Sequence, residues 1–493
     1  MEKRRLTPEE RELRRKKEKM KRRRRRAIYI FIFALIIAGL AFVIIARMLV
    51  AKAEKEEERS RKEAEISAEE QLIADHRALI AQAEEVALTY DYDGAIALLE
   101  TAENYDEDSE IIDAIAKYTV AKTTLSPVDV TSVPHVFFHS LIVDPSRTFD
   151  TTRWSADEVA GLNAWMTTIE EFDAIIQQMY DNGYVLVRMR DLVNETVDEN
   201  GQVHFTANKN LMLPAGKKAY VLSIDDWSYY HSYTGKGFGD KAVVDENGDV
   251  KIQYTDIQGN VTIGDYDVVP RLNTFMKEHP DGAYKGARGM IALTGYNGVF
   301  GYRTDEDYVK REHLQSDQKA WLDGHPTFDE AARQEEIRKA TEVAEAVKAS
   351  GWEFASHTWG HLSVTGKDVA TLQADNERWM NNVANIVGET DTIIFAHGAD
   401  IGDWHDYNAE TNPVYAYYTN AGYHFYANVD ASTQSWVQLR DGYFRQGRID
   451  LDGLQMWRHI SGKAKKDVLS ILFDVNTVFD QRRPTPVSAT GKE

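Results

Sequence analysis

The chain has 493 residues and no cysteine. That length exceeds what one hydrophobic core sustains, so two or more domains are expected, and disulfides, thiolate metal sites and cysteine nucleophiles are excluded. The net charge of −21 is unevenly spread: residues 1–26 hold 15 Lys/Arg against 5 Glu, and the rest is strongly acidic. A basic head on an acidic body points to a membrane or nucleic-acid partner.

Ala27–Ala46, AIYIFIFALIIAGLAFVIIA, runs 20 residues without a charge or a proline. At about 1.5 Å per residue this reaches roughly 30 Å, the thickness of a bilayer core. Arg22–Arg26 stand directly before it. The positive-inside rule keeps such a run in the cytoplasm and places the acidic body outside. Ala51-Lys52-Ala53 offers a small-x-small cleavage sequence, but the apolar run is longer than the about 7–15 residues of a signal-peptide core. The sequence therefore predicts a basic cytoplasmic segment over 1–26 and an uncleaved single-pass anchor over 27–48. The arginines are read as a topology signal, with no nucleic-acid partner.

Residues 47–90 are rich in Ala, Glu, Lys and Arg and contain no Gly or Pro, which is helix composition. Leu72, Ile73, Leu79, Ile80, Ala83, Val86 and Ala87 form a helical stripe. Two short apolar faces follow, Ala95–Leu99 and Ile111–Tyr118. They resemble one tetratricopeptide-like hairpin, or else continue a plain helical stalk over 49–125 through which a protein partner docks. TTLSPVDVTSVPH, with two prolines, marks the boundary with a main domain over 126–493.

In that domain short apolar strands alternate with helices. HVFFHSLIV, YVLVRM, KAYVLSIDDW, GMIALTG, WEFASH, TIIFAHG and YHFYANVD read as strands. Thr168 reads as the N-cap of a helix that stops at Gly183, and a long helix ends at Gly351. The pattern predicts an α/β fold of βα units, a parallel sheet or barrel. DKAVVDENGDVKIQYTD breaks the rhythm as an inserted hairpin with an Asn-Gly turn.

Parallel βα folds carry their sites at the C-terminal ends of the strands. Three ends carry candidate ligands: Asp225-Asp226; SHTWGH with His357 and His361; and FAHGADIGDW with His397, Asp400, Asp403 and His405. Two histidines four apart meet one ion from one side if the segment turns helically. One carboxylate oxygen added to them makes a usual donor set for catalytic zinc. Two adjacent aspartates also offer a division of labour, one as ligand and one as base.

These residues resemble a known family. LSIDDW is similar to the (S/T)FDD first motif, and SHTWGH to the H(S/T)xxH second motif, of the polysaccharide deacetylases, the NodB-homology domain of carbohydrate esterase family 4. VPHVFFHSLI resembles that family's first strand, and MTTIEEFDAIIQQMYDNGYVLVRMRDLV the helix and strand after it. The resemblance covers roughly 133–480. It implies a distorted (β/α) barrel and metal-dependent removal of N-acetyl groups from an amino-sugar polymer of the cell wall or an exopolysaccharide. Carried over by position, Asp225 is the base and Asp226, His357 and His361 hold the metal, with zinc first and cobalt or nickel as alternatives.

The chain also departs from the pattern. The third motif, RxPYG, has no counterpart: Ala396 stands where its arginine would be. The late-strand histidine that serves as general acid is missing from DGYFRQGRIDLDG, leaving His397, His424 and His459 as substitutes, with His139 read as structural. The gap between Asp226 and His357 is long, and its excess, 232–265 and 296–326, is expected to form loops over the site. Trp227, Tyr229, Trp359 and Trp404 are expected sugar platforms, because exposed rings stack on apolar sugar faces. Two functions follow: a membrane-anchored deacetylase of an extracellular glycan, or an inactive metal-binding relative that serves as a wall-binding scaffold.

Overall fold

A computed structural model describes residues 7–430 and 432–489. The first residues of the expected basic segment, Ala431 and the last four residues lie outside the described set. Contacts divide the chain into two units, residues 1–80 with 102–104, and residues 81–101 with 105–493.

Among the described residues the first unit is most of α1 (Pro8–Leu88) together with the turn at 102–104. Its most apolar 18-residue window has a mean hydropathy of 3.1, and none of that window is buried. Past the apolar run, Lys62 pairs with Glu58 and Arg59 with Glu63 one turn apart, which supports a solvent-exposed helix. His76 Nε2 lies 2.9 Å from the carbonyl of Glu103.

The second unit begins with the last turns of α1. It continues through α2 (Tyr92–Leu99) and α3 (Ser109–Lys122), so the expected stalk is divided between the units. Ala83, Ala87, Ala95, Leu99, Ile111 and Tyr118 are buried there. Tyr90 donates to the carbonyl of Asp281 and Lys285 pairs with Asp91, fastening this hairpin to the α/β body.

That body is a closed parallel barrel. Among the described residues seven strands form the ring: β1 (His135–Phe138), β2 (Lys218–Asp225), β3 (Met290–Leu293), β4 (Glu353–Ser356), β5 (Thr392–Ile394), β6 (Phe425–Val429) and β7 (Tyr443–Asp450). β1 pairs with both β2 and β7, which shuts the ring. Tyr184–Leu186, expected as a strand of the sheet, pairs with the start of β2 and stays outside the ring. The inserted hairpin forms from Lys241–Val244 and Val250–Thr255, and a third antiparallel strand, Val261–Gly264, extends it.

The connecting helices show their sequence signals. α4 (Ile169–Asp181) opens on a capping box of Thr168 and Glu171. α5 (Val268–Glu278), α6 (Glu330–Ala349), α7 (Val369–Trp379), α8 (Pro413–Asn420) and α9 (Gly453–Ile460) follow. Strand side chains alternate across the ring. Val136, Phe138, Leu222, Ile224, Ile291 and Leu293 pack with the helices, whereas Val221, Ala292, Ala355, Ile394, Ala427 and Phe444 form a separate cluster inside the ring. The same alternation puts Ser223 and Asp225 on the inner face of β2 and Arg448 on that of β7.

Candidate active site

β2 delivers Asp225 and then turns sharply: Asp226 has φ +58, a left-handed conformation uncommon for a residue with a side chain. Both carboxylates are buried. The turn is fastened by Asp267, one oxygen of which accepts from the indole of Trp227 (3.1 Å) and the hydroxyl of Tyr229 (2.7 Å). Its other oxygen accepts from the backbone N–H groups of Leu141 and Val268. Burial pushes Asp267 up to about 6 against these hydrogen bonds.

β4 delivers His357. The segment to His361 does not turn helically, as the spacing suggested. Instead Thr358 (φ +63) and His361 (φ +52) are left-handed, and Asp375 accepts the N–H groups of Trp359 (2.7 Å) and Gly360 (2.8 Å). These hydrogen bonds replace the helical ladder, and the two imidazoles end with centroids 5.1 Å apart.

Asp226, His357 and His361 each point one ligand atom into a common space, all within 4.8 Å of one another. His361 Nε2 lies 3.5 Å from Asp226 Oδ2, and His357 Nε2 lies 3.9 Å from Asp226 Oδ1. His357 Nδ1 meets the carbonyl of Ile394 at 2.7 Å. A carbonyl only accepts, so Nδ1 carries the proton and Nε2 turns its lone pair to the cluster, as a metal-binding histidine requires. The donor set of two imidazole nitrogens and one carboxylate oxygen fits a zinc-type ion.

Asp225 is held otherwise. Arg448 Nη1 donates to Oδ1 at 2.7 Å and Nη2 to Oδ2 at 2.9 Å, a bidentate pair. Nη1 also reaches Ser223 Oγ at 3.1 Å, and the guanidinium lies over the ring of Phe137. Burial disfavours the charged carboxylate, but Arg448, followed by His357, holds its pKa well below the usual range. Burial likewise opposes ionisation of Asp226, and His361 and His357 lower it. Arg448 was not anticipated. An arginine in an otherwise buried strand, beside FRQGRID's alternating pattern, was the available signal, since such a charge needs a carboxylate partner.

The other candidates divide. His397 joins the rim: it is exposed, left-handed (φ +60), its ring packs 4.2 Å from that of His361, and its Nε2 meets the carbonyl of His361. His139 is half-buried after β1, and its charge lowers both Asp225 and Asp226. His424 stands at the N-terminal end of β6 against the carbonyl of Gly442, away from the mouth. His459 ends α9 beside Asp467; eight residues of helix carry it away from the end of β7, and among the described residues no contact joins it to the cluster.

The expected sugar platforms also need correction. Trp227 and Tyr229 are buried, so neither ring offers a face for stacking; both hydrogen-bond to Asp267, and Trp227 packs against Phe300. Trp359 is half-buried, with Arg378 over its ring and its indole on Asp305. Trp404 is 42% exposed and meets Trp436 edge to face. Its loop is anchored through Asp400, which takes the Trp404 N–H and the guanidinium of fully buried Arg445.

No protein-family model and no curated protein matches the chain. Among solved structures it is similar to the Streptococcus pyogenes deacetylase PplD in complex with acetate, at 13% identity, covering 66% of this chain and 96% of that one, with a TM-score of 0.30. At that score the likeness carries no inference about the site.

Proposed function

We propose that the protein is a membrane-anchored, metal-dependent deacetylase that removes acetyl groups from an amino-sugar polymer outside the cell. The observation that carries this reading is the pairing of two unlike carboxylates at one strand end: Asp226 within ligand distance of His357 and His361, and Asp225 locked by Arg448. Asp226, His357 and His361 would hold a divalent ion, zinc first, with cobalt or nickel suited to the same donors. Such an ion supplies Lewis-acid polarisation of an amide carbonyl and lowers the pKa of water to about 7.

The chain's own residues supply the rest. Asp225 Oδ2, the oxygen facing His357 at 3.8 Å, takes a proton from the attacking water. The fork of Arg448 fixes that carboxylate and keeps it ionised at neutral pH. The departing amine needs a proton; His139 and His397 are the imidazoles near the cluster and divide this role between them as candidates. Trp404, the exposed ring among the expected platforms, is the one left to stack on a pyranose face at low entropy cost.

Residues 27–48 act as the anchor, with Arg22–Arg26 in the cytoplasm and the domain over 126–493 outside. The scaffold reading rests on Ala396 in place of an arginine and on the missing late-strand histidine; Arg448 weakens the first motive by gripping Asp225 from another strand, and the second stands. The test is acetate release from oligo-N-acetylglucosamine by the full chain in detergent, with zinc or cobalt added. Release abolished in Asp225→Asn with bound metal unchanged supports the enzyme. No release from any N- or O-acetylated glycan favours the scaffold.

A further inference from the structure

Asp226 Oδ1 lies 2.6 Å from the hydroxyl of Tyr230, which in turn lies 2.6 Å from Thr294 Oγ1. Thr294 Oγ1 lies 3.3 Å from Ser228 Oγ. All four residues are buried. The direction of these hydrogen bonds follows from the acceptor at their end: an ionised carboxylate only accepts, so the phenol gives its proton to Asp226. The Tyr230 oxygen is then left to accept from Thr294, and the Thr294 oxygen to accept from Ser228. A hydrogen bond to a charged acceptor is short and strong, and successive hydroxyls polarise one another.

We infer that the Ser228–Thr294–Tyr230 hydroxyl relay is a positioning device that makes Asp226 a one-oxygen metal ligand. This inference rests on the metal reading of Asp226, His357 and His361. Oδ1, 3.9 Å from His357 Nε2, already accepts the phenol's proton, so Oδ2, 3.5 Å from His361 Nε2, is the oxygen left without a side-chain donor. One oxygen with two imidazole nitrogens is the donor count of a catalytic zinc site, whereas calcium sites commonly use carboxylates through both oxygens. The relay also braces a strained turn. Asp226 is left-handed, and so is Tyr229, directly before the tyrosine. Thr294 follows the end of β3, so the relay ties the β2 turn to the neighbouring strand. The ring of Tyr230 stacks on Tyr296 at 5.2 Å, which fixes the direction of its hydroxyl. Tyr230 acts through Asp226, not on the substrate.

The test uses the full chain in detergent, stripped of metal and titrated with Zn²⁺ and with Co²⁺ by calorimetry, together with the visible spectrum of the Co²⁺ form. Tyr230→Phe keeps the ring and removes the proton; it should weaken binding of both ions about 10–100-fold and shift the Co²⁺ spectrum. Thr294→Val should move both readouts in the same direction by less, and Thr294→Ser should restore them. If Tyr230→Phe does not fold, the two threonine variants carry the test. Unchanged affinity and spectrum in Tyr230→Phe and Thr294→Val, with the wild type binding both ions, overturns the relay alone. A lowered melting temperature of the metal-free protein with an unmoved spectrum marks the tyrosine as merely structural and also overturns it. A wild type that binds neither ion overturns the metal reading and the relay with it.

Discussion

Arg448 and Asp225, 223 residues apart in the chain, form a bidentate ion pair inside the barrel with N–O distances of 2.7 and 2.9 Å and almost no solvent exposure on either side chain. The pair answers a charge problem. Two adjacent buried carboxylates repel unless positive charge compensates them; Arg448 takes one, and the other faces the space lined by His357 and His361 that would hold a cation.

Removing Arg448 strands a buried carboxylate. Arg448→Met should cost about 3–5 kcal/mol of stability and raise the pKa of Asp225 from its depressed value. Thermal unfolding measures the first effect and the pH profile of acetate release the second. Arg448→Lys retains charge without the fork, so it should keep more stability than Met while still losing turnover.

Asp225 and Asp226 should separate in function. Asp225→Asn should lower kcat by about 10²–10⁴-fold with bound metal, read by elemental analysis, unchanged. Asp226→Asn should lose the metal itself. Equal metal loss in both variants would merge the two roles.

The amine's proton donor is decided by three alanine substitutions. If the role lies with a rim imidazole, His139→Ala or His397→Ala should cut kcat by about 10²–10⁴-fold. His459→Ala should leave acetate release unchanged, because Asp467 is its partner and α9 holds it away from the mouth.

His231, directly before the 232–265 segment, packs against the 296–326 segment. Its Nε2 meets Tyr308 at 2.8 Å and its ring packs on Trp321. Burial, then Arg303 and His325, pushes its pKa down to about 3, below the ordinary value of about 6.5. The folded state thus prefers the neutral ring. Its contribution is present above about pH 6.5 and is lost as the pH falls towards 3. The melting temperature of wild type should drop more steeply across that window than that of His231→Phe; parallel curves would remove His231 from the effect.

Much of the architecture was legible locally. The charge-free run at 27–46, the capping box at Thr168, and apolar strands alternating with helices each depend on neighbours within a few residues, and the βα rhythm pointed to a parallel sheet or barrel. Asp225-Asp226 and SHTWGH were legible as donors because both follow strands and parallel strands open their sites at that end. Less legible was the backbone that presents them: Thr358 and His361 are left-handed, and no glycine stands at either position to signal it.

Local sequence carries the inventory: an apolar span behind arginines, a cysteine-free acidic body, and two carboxylates and two histidines at strand ends. Which partner each one meets depends on how the barrel closes. Closure of β7 onto β1 brings Arg448 to Asp225, while the end of β3 brings Thr294 to Tyr230. The length of α9 takes His459 away, and burial withdraws Trp227 and Tyr229 from any sugar. Periodicity reports which face of an element is apolar, but the meeting of side chains hundreds of residues apart follows from ring closure, which no local pattern encodes.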